Sequence, residues 1–165
     1  MTSVKPEFIN MNDKPKLSDD IILYDTKDAL AVETPKEFVE TFDLVSEHDP
    51  ILRQVIPEFS FEESPVNPNE FASTLVETCK KYNGYGLSAN QCGFPHRVFV
   101  IGTGNDYIAC FNPKVVKTEG EKHMEEGCLS FPLLGLHITR PQMIWVEYQD
   151  FNGDKKEAQI GRAHV

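Results

Sequence analysis

The chain has 165 residues, a formal net charge of −10 and 40% hydrophobic residues, enough for one domain with a real core and no need of disulfide or metal staples. With 26 acidic against 16 basic residues and no run of Lys or Arg longer than two, it offers no cationic face to a phosphate backbone, so DNA is not expected as a partner and the acidity reads as solubility. No apolar run approaches the roughly 20 residues of a membrane span, and the opening "MTSVKPEFINMNDKPK" lacks the apolar core of a secretory signal; a cytoplasmic protein without membrane contact is expected.

Residues 1–20 are polar and aperiodic, a pattern expected to be loosely ordered. "IILY" (21–24) reads as a short strand, and 25–48, where acidic and apolar residues mix, as amphipathic turns. The firmest helix is "NPNEFASTLVETCKKYNG". Asn67 caps it, Pro68 suits its first position and Glu70 lies three residues after the cap. Phe71, Leu75, Cys79 and Tyr82 form one apolar stripe, Lys80 and Lys81 fall in the last turn, and Gly84 ends it. Strands are then expected at 97–102, 107–111, 114–118, 136–140 and 143–148. "DFNGD" (150–154) is the turn of a hairpin whose return strand is "KKEAQ". One helix followed by short antiparallel strands predicts an α+β domain.

The four cysteines, Cys79, Cys92, Cys110 and Cys128, follow neither a disulfide framework nor a CxxC zinc spacing and are expected to be reduced. Cys79 belongs to the helix stripe and fills core. Two short segments carry chemistry. In "GYGLSANQ" (84–91) two glycines allow close backbone approach to a ligand, and Gln91 can aim an amide N–H at a carbonyl oxygen. No GKS or GKT follows, so this is no phosphate loop. In "EEGCLSFP" (125–132), Cys128 as a thiolate can bind Zn(II) or Fe(II), or attack a carbonyl, and each use requires a histidine.

Taken together, in this order, the two segments resemble the GxGLAAxQ and EGCLS signatures of peptide deformylases. "DPILR" (49–53), Asn112-Pro113 and Arg140 match the same family, and the resemblance covers about residues 49–159. It implies hydrolysis of N-formyl-methionyl nascent peptides to formate and a free amine, with Fe(II) as the first choice of metal and Zn, Ni or Co as substitutes. Cys128 is then the thiolate ligand, and Gln91 and the backbone N–H of Leu129 are donors to the formyl oxygen. Gly86 and Leu87 hold the substrate methionine as edge and wall, Gly84 shapes the same loop, and Gly127 lies at the substrate beside the cysteine. Glu126 paired with Arg140 supports the cysteine loop. Ser88 stands where the family has Ala, a small-for-small change, and "FPLLGLHITRP" replaces a variable loop. A monomer, in contact with the ribosome, is implied.

The family's third signature, HExxH, is absent. It would supply two metal-binding histidines one turn apart and a general acid–base glutamate. The five histidines are His48, His96, His123, His137 and His164, no two of them at that spacing, and His123 and His137 are not expected to substitute. "IGRAHV" (160–165) matches, in one frame, the translation of a common sequencing adapter followed by a stop. The expected organisation is therefore an N-terminal extension over 1–48, partly disordered, an incomplete deformylase-like domain over 49–159, and a non-native tail over 160–165. On this expectation the chain is poorly stable and close to inactive while its full-length parent is an active enzyme. The alternatives are a binder of methionyl peptides without turnover and a cysteine hydrolase with Cys128 as nucleophile, which alkylation would inactivate and chelators would spare.

Overall fold

The computed structural model describes residues 21–24, 40–103 and 106–162; the expected disorder of 1–20 and the turns of 25–39 lie outside them. Helix α1 (Pro68–Lys81) follows the sequence expectation closely. The Asn67 side-chain oxygen accepts from the amides of Asn69 at 3.0 Å and Glu70 at 3.2 Å, satisfying two donors that the helix start leaves open. Leu75, Val76 and Cys79 are fully buried along one face, each large apolar side chain contributing roughly 1.5–3 kcal/mol by leaving water.

Strand β1 (Ile21–Tyr24) is followed, beyond the helix, by β2 (Gly86–Ser88), β3 (Val98–Thr103), β4 (Asp106–Glu119), β5 (Lys122–Cys128), β6 (Phe131–Arg140), β7 (Met143–Gln149) and β8 (Lys155–Arg162). Six of them form one antiparallel sheet in the order β1-β8-β7-β4-β3-β2, while β5 and β6 form a separate two-stranded hairpin. Alternation along β3 and β4 sends Val98, Val100, Tyr107, Ala109 and Phe111 to the α1 face, and Phe99, Ile101, Ile108 and Cys110 to the other. The expected α+β class is the one observed.

The structure corrects the expected strands at several points: β2 is an addition to them, and β6 begins at Phe131, five residues before the strand expected at 136–140. The two strands expected at 107–111 and 114–118 are one strand, β4, with an irregularity at Asn112-Pro113. Asn112 adopts φ 51°, and its side chain compensates the lost ladder. Oδ1 accepts from the Phe59 amide at 2.7 Å, while Nδ2 donates to the Phe59 carbonyl at 3.0 Å and to Gln149 Oε1 at 2.9 Å. The segment 122–128, assigned no strand from sequence, is β5, because pairing with β6 overrides the weak strand propensity of its Lys, Glu and Gly residues. The expected hairpin turn forms at Asp150–Asp154, where Asp150 Oδ1 accepts from the amides of Asn152 and Asp154. Its return strand runs through Ile160 to Arg162, paired with both β7 and β1.

The stretch before residue 49 is stitched to the domain where it is described. Phe42 and Leu44 pack against the main core, the Phe42 amide donates to Thr78 Oγ1 at 2.9 Å, and the Val45 amide donates to the Gln91 carbonyl at 2.9 Å.

Asn112→Ala should destabilise the chain by about 2–3 kcal/mol, through lost bonds and a left-handed backbone without compensation, as read by chemical denaturation. Asn112→Gly should recover about 1 kcal/mol of that loss, since glycine removes only the backbone part.

His96 sits among Phe59, Phe71 and Phe94, with ring centroids 5.2, 5.5 and 6.5 Å away, and burial lowers its pKa. The unfolded chain therefore takes up a proton at a pH where the folded one does not, so stability falls as pH drops through the ordinary histidine range. Thermal melts between about pH 7 and about pH 5 should show a shallower decline for His96→Phe than for the natural chain; equal slopes would remove His96 from the account.

Candidate active site

The first motif begins where α1 ends. The Gly84 amide donates to the Cys79 carbonyl at 2.8 Å, and its carbonyl accepts from the Tyr107 hydroxyl at 2.8 Å. A Cβ on Gly84 would lie 2.7 Å from Leu129 Cδ1 and 3.0 Å from Cys79 Sγ. Gly84 therefore shapes the loop and brings it against the second motif. Gly86 opens β2, which among the described residues is an edge strand paired only with β3, so one side of its backbone has no ladder partner among them. Leu87 is buried in the main core at 2% exposure. Its side chain packs in the core, while its backbone lies on the edge strand.

After β2 the chain makes a 3-10 turn over Ala89–Cys92 with Ser88 at its cap and Gln91 three residues on, closed by Gly93 at φ 83°. Gln91 reaches back, its Oε1 accepting from the Ser88 amide and the Ser88 hydroxyl, both at 3.0 Å. A backbone amide can only donate, so the oxygen of the carboxamide is fixed on that side and Nε2 faces the other way. There Nε2 donates to Ser130 Oγ at 3.0 Å and to Cys128 Sγ at 3.9 Å. The two motifs thus meet through one amide.

Cys128 ends β5 and is exposed, whereas Cys79, Cys92 and Cys110 are buried. Burial raises the Cys79 thiol to about 12 and that of Cys92 to about 11, and pushes Cys110 up as well. None of those three is available as a thiolate near neutral pH. Gly127 is exposed, with nothing within 4 Å of where its Cβ would be. Two residues before the cysteine, Glu126 Oε2 accepts from Arg140 Nη2 at 3.3 Å and Nε at 3.4 Å across the hairpin. Arg140 is half exposed, so the pair orients the strands more than it stabilises the fold.

Strand alternation places His123 on the face of β5 opposite Glu126 and Cys128, where its Nδ1 meets Thr139 Oγ1 at 2.6 Å. His137 pairs with Glu125 on that same far face. Both histidines thus lie on the face of the hairpin away from Cys128. Among the described residues no group of three His, Cys, Asp or Glu side chains could hold a metal, and a catalytic zinc-type site needs three protein ligands. Among the described residues the donor set, a single cysteine sulfur, does not make a complete metal centre.

Two residues at the centre of this arrangement, Ser88 and Ser130, were not picked out as site residues from the sequence. Ser88-x-x-Gln91 is the capping-box pattern, which was the available signal for the first. Ser130, buried at 6% exposure, is the last residue of the EGCLS segment, which was the available signal for the second.

Comparison with known proteins agrees with this architecture. The family model of polypeptide deformylase matches residues 41–163. The peptide deformylase of Thermotoga maritima is 37% identical over 114 residues, 68% of each chain, and that of Caldanaerobacter subterraneus subsp. tengcongensis is 41% identical over 83 residues, 50% of this chain and 52% of that one. The crystal structure of the Thermotoga maritima enzyme superposes with a TM-score of 0.65 at 34% identity, covering 73% of this chain and 81% of that one. A peptide deformylase from Synechococcus elongatus in complex with actinonin gives 0.68 at 28% identity, covering 79% and 72%. No described helix is long and apolar enough to cross a membrane. With the signature loops in contact, the fold shared and the match running over most of the chain, the protein belongs to the polypeptide deformylase family of metal-dependent hydrolases, which remove formyl groups from nascent peptides.

Proposed function

We propose that this chain carries the substrate-holding half and the thiolate ligand of a deformylase acting on N-formyl-methionyl nascent polypeptides. The observation that supports it is the Gln91 carboxamide, whose donor edge lies 3.9 Å from the one exposed cysteine while its oxygen is held away. In that reading Cys128 would be one ligand of a divalent metal, Fe(II) being the first choice and Zn, Ni or Co substitutes, which would supply Lewis acidity toward the formyl oxygen. Gln91 Nε2 and the Leu129 amide donate to the formyl oxygen as water adds to the formyl carbon and that oxygen gains charge. Breaking of the C–N bond then releases formate, and the departing amine takes up a proton. The edge strand of Gly86 and Leu87 receives the methionyl backbone by strand addition, while Gly84 shapes the loop that carries it and Gly127 keeps side-chain bulk away beside Cys128. Glu126 and Arg140 hold the hairpin that presents the cysteine. The working form is a cytoplasmic monomer that meets its substrates at the ribosome.

The same reading holds that this 165-residue chain does not turn over by itself, because one thiolate among the described residues cannot replace a three-ligand centre. Incubated with Fe(II), Zn(II), Ni(II) or Co(II) and an N-formyl-methionyl tripeptide, the purified chain should release formate no faster than the free metal does. Turnover above that background would overturn the single-ligand reading. Co(II) titration should give a weak thiolate-to-metal absorption band that vanishes in Cys128→Ser and persists in Cys79→Ser, because only Cys128 is exposed. Arg140→Ala should lower stability by less than about 1 kcal/mol, the range of an exposed ion pair, while weakening that same Co(II) band by loosening the cysteine strand.

A further inference from the structure

Ser88 departs from the family pattern at a position where the structure gives its hydroxyl a specific partner. Its Oγ–H and its backbone N–H both donate to Gln91 Oε1 at 3.0 Å. An alanine would retain the backbone bond and lose the hydroxyl one. On the opposite side of the same carboxamide, Nε2 is held by the hydroxyl of the buried Ser130. The main chain of Gln91 is fixed as well, since its carbonyl accepts from the Val45 amide at 2.9 Å and the turn that carries it is closed by Gly93. We propose that Ser88 is a positioning residue: its hydroxyl is the second clamp on Gln91 Oε1 that keeps the Nε2 edge directed at Cys128 before any substrate is present.

The physical reason is rotational. With one acceptor contact, a glutamine side chain can pivot about the axis of that bond. Two donors converging on one oxygen from different directions, and a hydroxyl acceptor on the nitrogen side, remove that freedom. A donor already aimed where negative charge develops needs no reorganisation when the charge appears. The backbone N–H decides which way the amide faces, because it can only donate, whereas the Ser88 hydroxyl limits how far the amide swings. The inference rests on the reading of Gln91 as the formyl-oxygen donor, and its test is independent of turnover.

The experiment is ¹⁵N–¹H spectroscopy of the side-chain amide of Gln91 in the 165-residue chain, the resonance pair being assigned by its loss in Gln91→Ala. In Ser88→Ala the two amide protons should exchange with water about fivefold faster, the share of one neutral hydrogen bond, and their shifts should move toward those of a solvated glutamine. Ser88→Thr, which restores a hydroxyl at the same place, should return both to the natural values. An unchanged Gln91 amide in Ser88→Ala overturns the proposal. So does a Ser88→Thr variant that behaves like Ser88→Ala, since the effect would then belong to the turn and not to the hydroxyl. Failure of the underlying functional reading gives a different pattern: Gln91→Ala would bind an N-formyl-methionyl peptide as well as the natural chain does, while Ser88→Ala still frees the amide.

Discussion

The contact on which the site depends is the close approach of the Gly84 backbone to Leu129. Here the end of α1, strand β4 and the loop after Cys128 converge within van der Waals distance: the helix through the Cys79 carbonyl, β4 through the Tyr107 hydroxyl, and the cysteine loop through the Leu129 side chain. A methyl group at residue 84 would fall 2.7 Å from Leu129 Cδ1. That atom is the free end of a side chain, so the chain would answer by displacing Leu129 and not by breaking backbone. The consequence would be local, at the residue whose amide is assigned to the formyl oxygen. Glycine here is thus a requirement of the site's geometry, transmitted to it by packing.

Much of the α1 region was legible in the sequence because each local signal there agrees with the others. The Asn67 cap, Pro68 and the apolar spacing of Phe71, Leu75 and Cys79 all point to one helix, and core packing supplies the remainder. The Asn-Gly turn at 152–153 was legible for the same reason. The misreadings fall where local chemistry and tertiary pairing disagree. Asn112-Pro113 looks like a chain break. It is a strand irregularity, because the Asn112 side chain reaches Phe59 and Gln149, which lie far away in sequence. Strand β5 looks like a loop because most of its residues are Lys, Glu or Gly, and its pairing with β6 makes it a strand.

The site was legible as two separate motifs, whereas their junction was not. Spacing alone pairs "GYGLSANQ" with "EGCLS", yet the contact between them runs through Gln91 Nε2, Ser130 Oγ and Cys128 Sγ, which no periodicity predicts. Leu87 shows the opposite limit. The motif does not say which way its side chain faces: the two-residue alternation of β2 turns it into the core, between two residues, Gly86 and Ser88, that are less buried. Motif membership identified the segment, and strand geometry decided which atoms of it are available.

Rigidity is unequally distributed across this junction. Gln91 belongs to the part of the chain backed by the main core, held through its carbonyl by Val45 and through its side-chain oxygen by Ser88. Cys128 belongs to a hairpin that adds no strand to the large sheet, and an isolated two-stranded hairpin is marginal in water. Leu133, Leu134 and Leu136 on β6 are exposed, so apolar burial contributes little to the order of that arm. What fixes the cysteine end of the hairpin to the core is therefore a short set of contacts: Leu129 against Gly84, and Ser130 and Cys128 against the Gln91 amide. A carboxamide clamped on the core side is the reference against which the Cys128 sulfur is placed. The geometry of the pair is accordingly set by the residues that hold Gln91, more than by those that flank Cys128.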